Sequence, residues 1–260
     1  RDRSVSRGLG DVYKRQDYYE KWYRPDLQGI MVVGDVDVDA TEALIKKMFA
    51  DIPAQPNGAK REYYPVNDNK EPIILVARDK EQPYVQTFIF NKHETTPREE
   101  KSNVGYLMQD YAATLITNML NARLNELLQA ANPPYIYAAT YDDDFFVAKT
   151  KNAFGVDASS KIDGIKLAMK TILEETERAR RFGFTETEYD RARANYLQRV
   201  ESAYNEREKM KNDTYVNEYI SNFLDNEPMP GIEYEYAMMN QLVPNIPVAA
   251  INQVMQQLIT

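Results

Sequence analysis

One histidine, His93, sits in Asn91-Lys92-His93-Glu94-Thr95 and is the only imidazole in the 260-residue chain. Beside a serine or an acid it can serve as a general base. A lone imidazole at the end of an apolar run is more simply a polar residue closing a strand, and that is the expectation. Asp142-Asp143-Asp144 offers consecutive oxygens to a hard cation, but calcium loops space their ligands alternately around a turn glycine, so a solvated hairpin turn is expected instead. Gly34-Asp35 lacks the glycine-rich spacing of a phosphate cradle. Residues 174–181 carry opposite charges at helical spacing and read as a solvated helix face. The nineteen tyrosines suit core edges with one wet end better than a carbohydrate or peptide surface. With one histidine and no cysteine, neither a two-histidine nor a thiolate metal site can be assembled from this chain alone. Residue chemistry by itself names no active site.

Composition narrows the class. The chain is 43% hydrophobic and 28% charged, and its 32 basic and 40 acidic residues leave a net charge of −8. Ten glycines and no cysteine exclude collagen-like and disulfide-stapled chains. No window approaches the ~18 consecutive apolar residues of a membrane-spanning helix. The acidic balance argues against nucleic acid as a partner, because a duplex-binding surface normally reads as a basic stripe.

Hydrophobic periodicity then places the elements. Residues 17–23 read as the end of a helix stopped by Pro25. Ile30-Met31-Val32-Val33, between Gly29 and Gly34, reads as a buried strand. Asp37 or Asp39 can cap the helix that follows. Residues 53–72 hold four prolines and read as a linker or extended crossover. Strands are expected over 73–77 and 84–90. Thr96-Pro97-Arg98-Glu99 has the form of a capping box opening a long helix, with Val104, Leu107, Met108, Tyr111, Leu115 and Met119 on its apolar face. Pro133-Pro134 ends that helix, and three strands are expected over 135–141, 145–149 and 153–158. A helix over 161–182 should stop at Gly183, and Thr185-x-x-Glu188 is a second capping box. Helices are also expected over 215–224 and 248–259. Strands in a block followed by long helices predict an α+β fold: a mostly antiparallel sheet with long helices packed on one face.

Residues 1–16 look foreign. Asp11-Val12-Tyr13-Lys14-Arg15-Gln16 resembles the translation of a sequencing-adapter end, GAT GTG TAT AAG AGA CAG, and the match continues upstream to Ser6. They are expected to be a non-native leader, with the native chain beginning near Asp17 and its preceding part missing.

The order of the remaining motifs resembles the pitrilysin/insulinase-type zinc peptidases, which include the mitochondrial processing peptidases. Tyr23-Arg24-Pro25-Asp26 followed by Met31-Val32-Val33-Gly34-Asp35 is similar to that family's aromatic-x-Pro-Asp/Asn turn and strand. Leu120-Asn121-Ala122-Arg123-Leu124 resembles its leucine-x-x-Arg-Leu helix. Gly183-Phe184-Thr185 with Glu188 is similar to its Gly-Phe-Thr-x-x-Glu-Leu junction, and Pro228-Met229-Pro230-Gly231 to the Pro-Gly segment of its two-halved members.

In that family, zinc and the general base belong to an H-x-x-E-H helix, which this sequence lacks. The resemblance therefore implies a second, metal-free repeat with no catalytic residue and no cofactor of its own. Zinc is expected in the repeat that precedes it. The implied layout is a leader over 1–16, the end of the preceding zinc repeat with an entry helix-strand-helix over 17–52, the α+β repeat over 53–227, and a linker and helix over 228–260. Its implied partners are the zinc-bearing repeat and a peptide or unfolded-protein substrate. A peptide-anchoring strand and helix start would fall at residues 84–90 and 118–123, making Tyr84, Thr87, Phe90, Asn118 and Arg123 possible substrate-facing residues. An exposed edge there would take peptide by β-augmentation, and a proline at Thr87 should weaken that binding. Family analogy favours a periplasmic or cell-envelope location. The competing functional reading is a non-peptidase scaffold or interaction subunit of the same fold, and an unrelated α+β binding domain stands behind both.

Overall fold

A computed structural model describes residues 9–55 and 57–259. Among these, the elements in chain order are α1 (Leu9–Trp22), α2 (Val38–Met48), β1 (Val85–His93), α3 (Val104–Leu127), β2 (Tyr137–Asp144), β3 (Asn152–Ser160), α4 (Ile165–Phe182), α5 (Glu186–Asn205), α6 (Asn212–Asp225), α7 (Ile232–Leu242) and α8 (Val248–Leu258). They fall into two units. Half of the proposed leader, residues 1–8, lies outside the described residues, while residues 9–16 form the first turns of α1.

The smaller unit holds the described chain up to Glu62 together with Lys211–Asp225, and so contains α1, α2 and α6. Asp37 caps α2, its carboxylate accepting from the Ala40 N–H at 2.9 Å. In the Tyr-Arg-Pro-Asp motif, Arg24 is buried and donates to Asp26 and to the Ala59 carbonyl, which folds residues 58–59 back onto the turn. Ile30-Met31-Val32-Val33 forms no strand, and Ile30 and Val32 are exposed. The expectation of a buried strand is corrected here. A branched apolar run becomes a strand only where another strand takes up its N–H and C=O groups, and none does so among the described residues.

The larger unit, Tyr63–Met210 with Asn226–Thr260, carries the α+β fold. Its antiparallel sheet has the order β1-β3-β2. Register runs from Val85↔Ser160 to His93↔Asn152 on one side of β3 and from Tyr137↔Ser159 to Asp144↔Asn152 on the other. On one face, Ile89 of β1, Phe154, Val156 and Ala158 of β3, and Ala138 of β2 meet Leu115, Ile116 and Leu120 of α3, Ile172 of α4 and Met255 of α8 in a single core. Truncating Phe154 to alanine in such a core costs about 3–5 kcal/mol.

Several boundaries differ from expectation. Residues 73–77 form no strand, and Ile73, Ile74, Leu75 and Val76 are each at least 74% exposed, again because no partner strand lies beside them among the described residues. Residues 145–149 form a tight turn rather than a strand, with Phe146 in the left-handed region at φ 57°. Thr96 is not the cap of the long helix: residues 98–100 make one 3₁₀ turn, and Asn103 caps α3 by accepting from the Tyr106 N–H at 3.0 Å. Helix α7 had no periodic signal strong enough to announce it. The Gly183 stop and the Thr185–Glu188 capping box are present as read, with Gly183 at φ 70°. A Cβ there would also lie 2.4 Å from the Asn252 amide carbon, which leaves only glycine comfortable.

Candidate functional site

Of the two segments named for peptide contact, residues 84–90 run into β1 and residues 118–123 lie on α3, which reaches β2 through Asn121. β1 is one edge strand and β2 the other. At the β2 edge, the Asn121 side chain on α3 accepts from the Thr140 N–H at 2.7 Å and donates to the Thr140 carbonyl at 3.1 Å. This amide takes the place a further strand would occupy, so β2 is closed at that point. Asn118, one turn earlier, is exposed.

The same hydrogen bonds fix which way β1 faces. Thr140 stands opposite Val156 but turns its N–H and C=O away from β3, so Val156 directs its own towards Ile89 on β1. Backbone direction alternates along a strand. Thr87, Ile89 and Asn91 therefore bond β3, whereas Gln86, Phe88 and Phe90 turn N–H and C=O to the outer edge of the sheet. Tyr84 precedes the strand and is exposed, and Phe90 is half-buried. Phe90 packs edge-on against Phe145 at 5.5 Å and beside Phe146 at 5.1 Å.

Arg123 has a structural occupation. Its guanidinium grips Glu188 at 2.5 and 2.9 Å, donates to the Gly183 carbonyl at 3.0 Å and lies 4.8 Å over the Phe184 ring. Glu188 also accepts from the Thr185 N–H. The Arg123 hydrogen bond, the largest influence, together with the Thr185 donors and the Arg123 charge, holds the Glu188 carboxyl down to about 2 against the upward push of its partial burial. Asn252 on α8 bonds both the N–H and the carbonyl of Phe184. The leucine-x-x-Arg-Leu and Gly-Phe-Thr-x-x-Glu motifs thus form one lock joining α3, the α4–α5 junction and α8.

His93 ends β1 as expected and also meets an acid. Nε2 lies 2.7 Å from Asp142 Oδ1, and Nδ1 lies 3.1 Å from the Glu94 carbonyl. A carbonyl can only accept, so Nδ1 carries a proton there, and the carboxylate favours a second proton on Nε2. Burial alone depresses the imidazole pKa, but Asp142 and the Glu94 carbonyl outweigh it and the net shift is upward. Asp110 nearby is raised by burial and by the Asp142 charge. Lys151, almost fully buried, bonds Asp68 and Glu94. Both ring nitrogens of His93 are engaged and no hydroxyl bonds them, so this cluster fastens strand ends and is not arranged as a nucleophile–base pair.

The described residues do not fit a catalytic zinc. A catalytic zinc takes three protein ligands drawn from His, Asp, Glu and Cys, and among the described residues no group of three or more such side chains is placed to hold a metal.

The fold is an α+β repeat whose sequence carries no H-x-x-E-H motif. A family model described as Peptidase M16 inactive domain matches residues 14–196, and the chain belongs to that family. It is similar to a zinc protease PQQL-like protein of Arabidopsis thaliana, 26% identical over 246 residues covering 94% of this chain and 22% of that protein. It is also similar to the probable zinc protease PqqL of Escherichia coli K12, at 21% over 243 residues, 94% of this chain and 26% of that protein. Among solved structures, the periplasmic protease PqqL from Escherichia coli superimposes with a TM-score of 0.80 at 19% identity, over 95% of this chain and 27% of that one. An insulinase family protease from Yersinia pestis superimposes with a TM-score of 0.76 at 16% identity, over 96% and 53%. The chain spans about a quarter of the length of the curated relatives it matches.

Proposed function

We propose that this chain walls the peptide chamber of a zinc endopeptidase, docks on the zinc-bearing repeat of the same protein, and holds substrate in extended form along the outer edge of β1. Membership of the inactive-domain family supports a role without chemistry of its own. The observation that carries the substrate contact is the asymmetry of the sheet: Asn121 closes the β2 edge, while Gln86, Phe88 and Phe90 present backbone groups outward along β1. An extended peptide satisfies such an edge by adding a strand. Zinc and the general base belong to the partner repeat, and the substrate is a peptide or an unfolded protein segment. A periplasmic or cell-envelope location is supported by the Escherichia coli relative, which is described as a periplasmic protease.

Thr87 is the wrong place for a blocking proline, because its N–H is bonded to β3. Proline at Phe88 removes an outward N–H and leaves the β1–β3 ladder intact. Fluorescence anisotropy with a labelled, unstructured twelve-residue peptide should show binding to this chain that Phe88→Pro abolishes and Phe88→Ala only weakens, the two variants melting within a few degrees of the parent. Equal weakening by both variants would overturn the edge-pairing reading.

A further inference from the structure

On the face of the sheet away from the helices, the side chains form four rows across the strands, the last of them Lys92, Ala153 and Asp143. Register sets Gln86, Ser159 and Tyr137 in one row, Phe88, Asp157 and Ala139 in the next, and Phe90, Gly155 and Tyr141 in the third. The third row closes tightly: a Cβ on Gly155 would lie 2.4 Å from the Tyr141 ring, so that ring lies over the glycine. Phe88 and Phe90 stack with centroids 6.1 Å apart. Phe88 and Tyr137 are both more than half exposed. The face is thus aromatic and open, with one carboxylate, Asp157, at its centre on the middle strand.

Asp157 has no cation beside it among the described residues. Partial burial raises its pKa, the cost of holding a charge among rings without a counter-ion. The other acid on this face, Asp143, adds to the negative field felt by Tyr141. The basic side chain on this face, Lys92, bonds the Asn67 carbonyl and lies over the Phe145 ring.

We infer that Asp157, framed by Phe88, Phe90, Tyr137 and Tyr141, is a subsite for an arginine or lysine side chain of a peptide lying along the β1 edge. This rests on the edge-pairing reading above and adds to it a substrate class, extended segments bearing a basic residue. A strand added to β1 lies two strand spacings, about 10 Å, from β3. From the position beside Phe88, only a long side chain crosses that ring to reach the carboxylate. Arginine and lysine do so, and on the way the charge passes over the Phe88 face, a favourable cation–π placement. An acidic side chain at the same position would meet Asp157 and be repelled.

The test uses this chain and three twelve-residue peptides of Ser, Thr and Ala that differ at one central position: arginine, its neutral isostere citrulline, or leucine. The arginine peptide should bind about five-fold tighter than the citrulline peptide, the scale of one partly desolvated ion pair, and Asp157→Asn should remove that preference. Asp157→Asn relieves an unpaired charge, so the variant should melt no lower than the parent at neutral pH, which separates lost binding from lost fold. Equal binding of the arginine and citrulline peptides, or leucine binding as tightly as arginine, overturns the cation subsite and leaves edge pairing standing. Failure of all three peptides to bind overturns both.

Discussion

At the scale of single residues, the clearest case is His93. Its position at a strand end was legible from the apolar run before it. Its partner was not, because Asp142 is 49 residues away in sequence and two strands away in the sheet. Its folded pKa is raised, so its contribution to stability is fully present below the unfolded value of about 6.5 and is lost as pH rises through the folded value. His93→Gln should therefore lower the melting temperature more at pH 5.5 than at pH 8.5. Asp142, Glu94 and Lys151 act on the imidazole, so equal losses at both pH values would mean that the charge on His93 is not what the cluster uses. Asp142-Asp143-Asp144 ends β2, and Asp142 has His93 for a partner; these acids serve the strand end and its turn.

At the scale of elements, the sequence speaks clearly wherever a signal is local. The Gly183 stop and the Thr185–Glu188 box depend on neighbours within one turn and formed as read. Ile30-Met31-Val32-Val33 and residues 73–77 depend on a strand elsewhere, and propensity without a partner leaves them extended and exposed. The Arg123–Glu188 lock shows how a motif known only by resemblance acquires a physical reason. Breaking a largely buried, bidentate pair by removing one partner costs on the order of 2–4 kcal/mol. Urea unfolding of Arg123→Lys, Glu188→Gln and the double variant should give singles that each lose about that much and a double that loses far less than their sum. Strict additivity would show the two side chains to be energetically independent.

At the scale of the whole molecule, α+β architecture with helices on one sheet face follows from the block of alternating strands and the long amphipathic helices, and the structure has it. What no periodicity could reveal is which edge of the sheet is open, since that depends on the Asn121 amide reaching Thr140 from another element. Composition fixes a narrower point: with one histidine and no cysteine, neither a two-histidine nor a thiolate metal site can be assembled from this chain alone. The account as a whole rests on this chain contributing surface and not catalysis. The most direct test is zinc content and hydrolysis measured together: the purified chain, incubated with excess zinc and desalted, then mixed with a quenched-fluorescent peptide. The account predicts far less than one zinc per chain and no chelator-sensitive cleavage. One retained zinc per chain with cleavage abolished by chelator would contradict it.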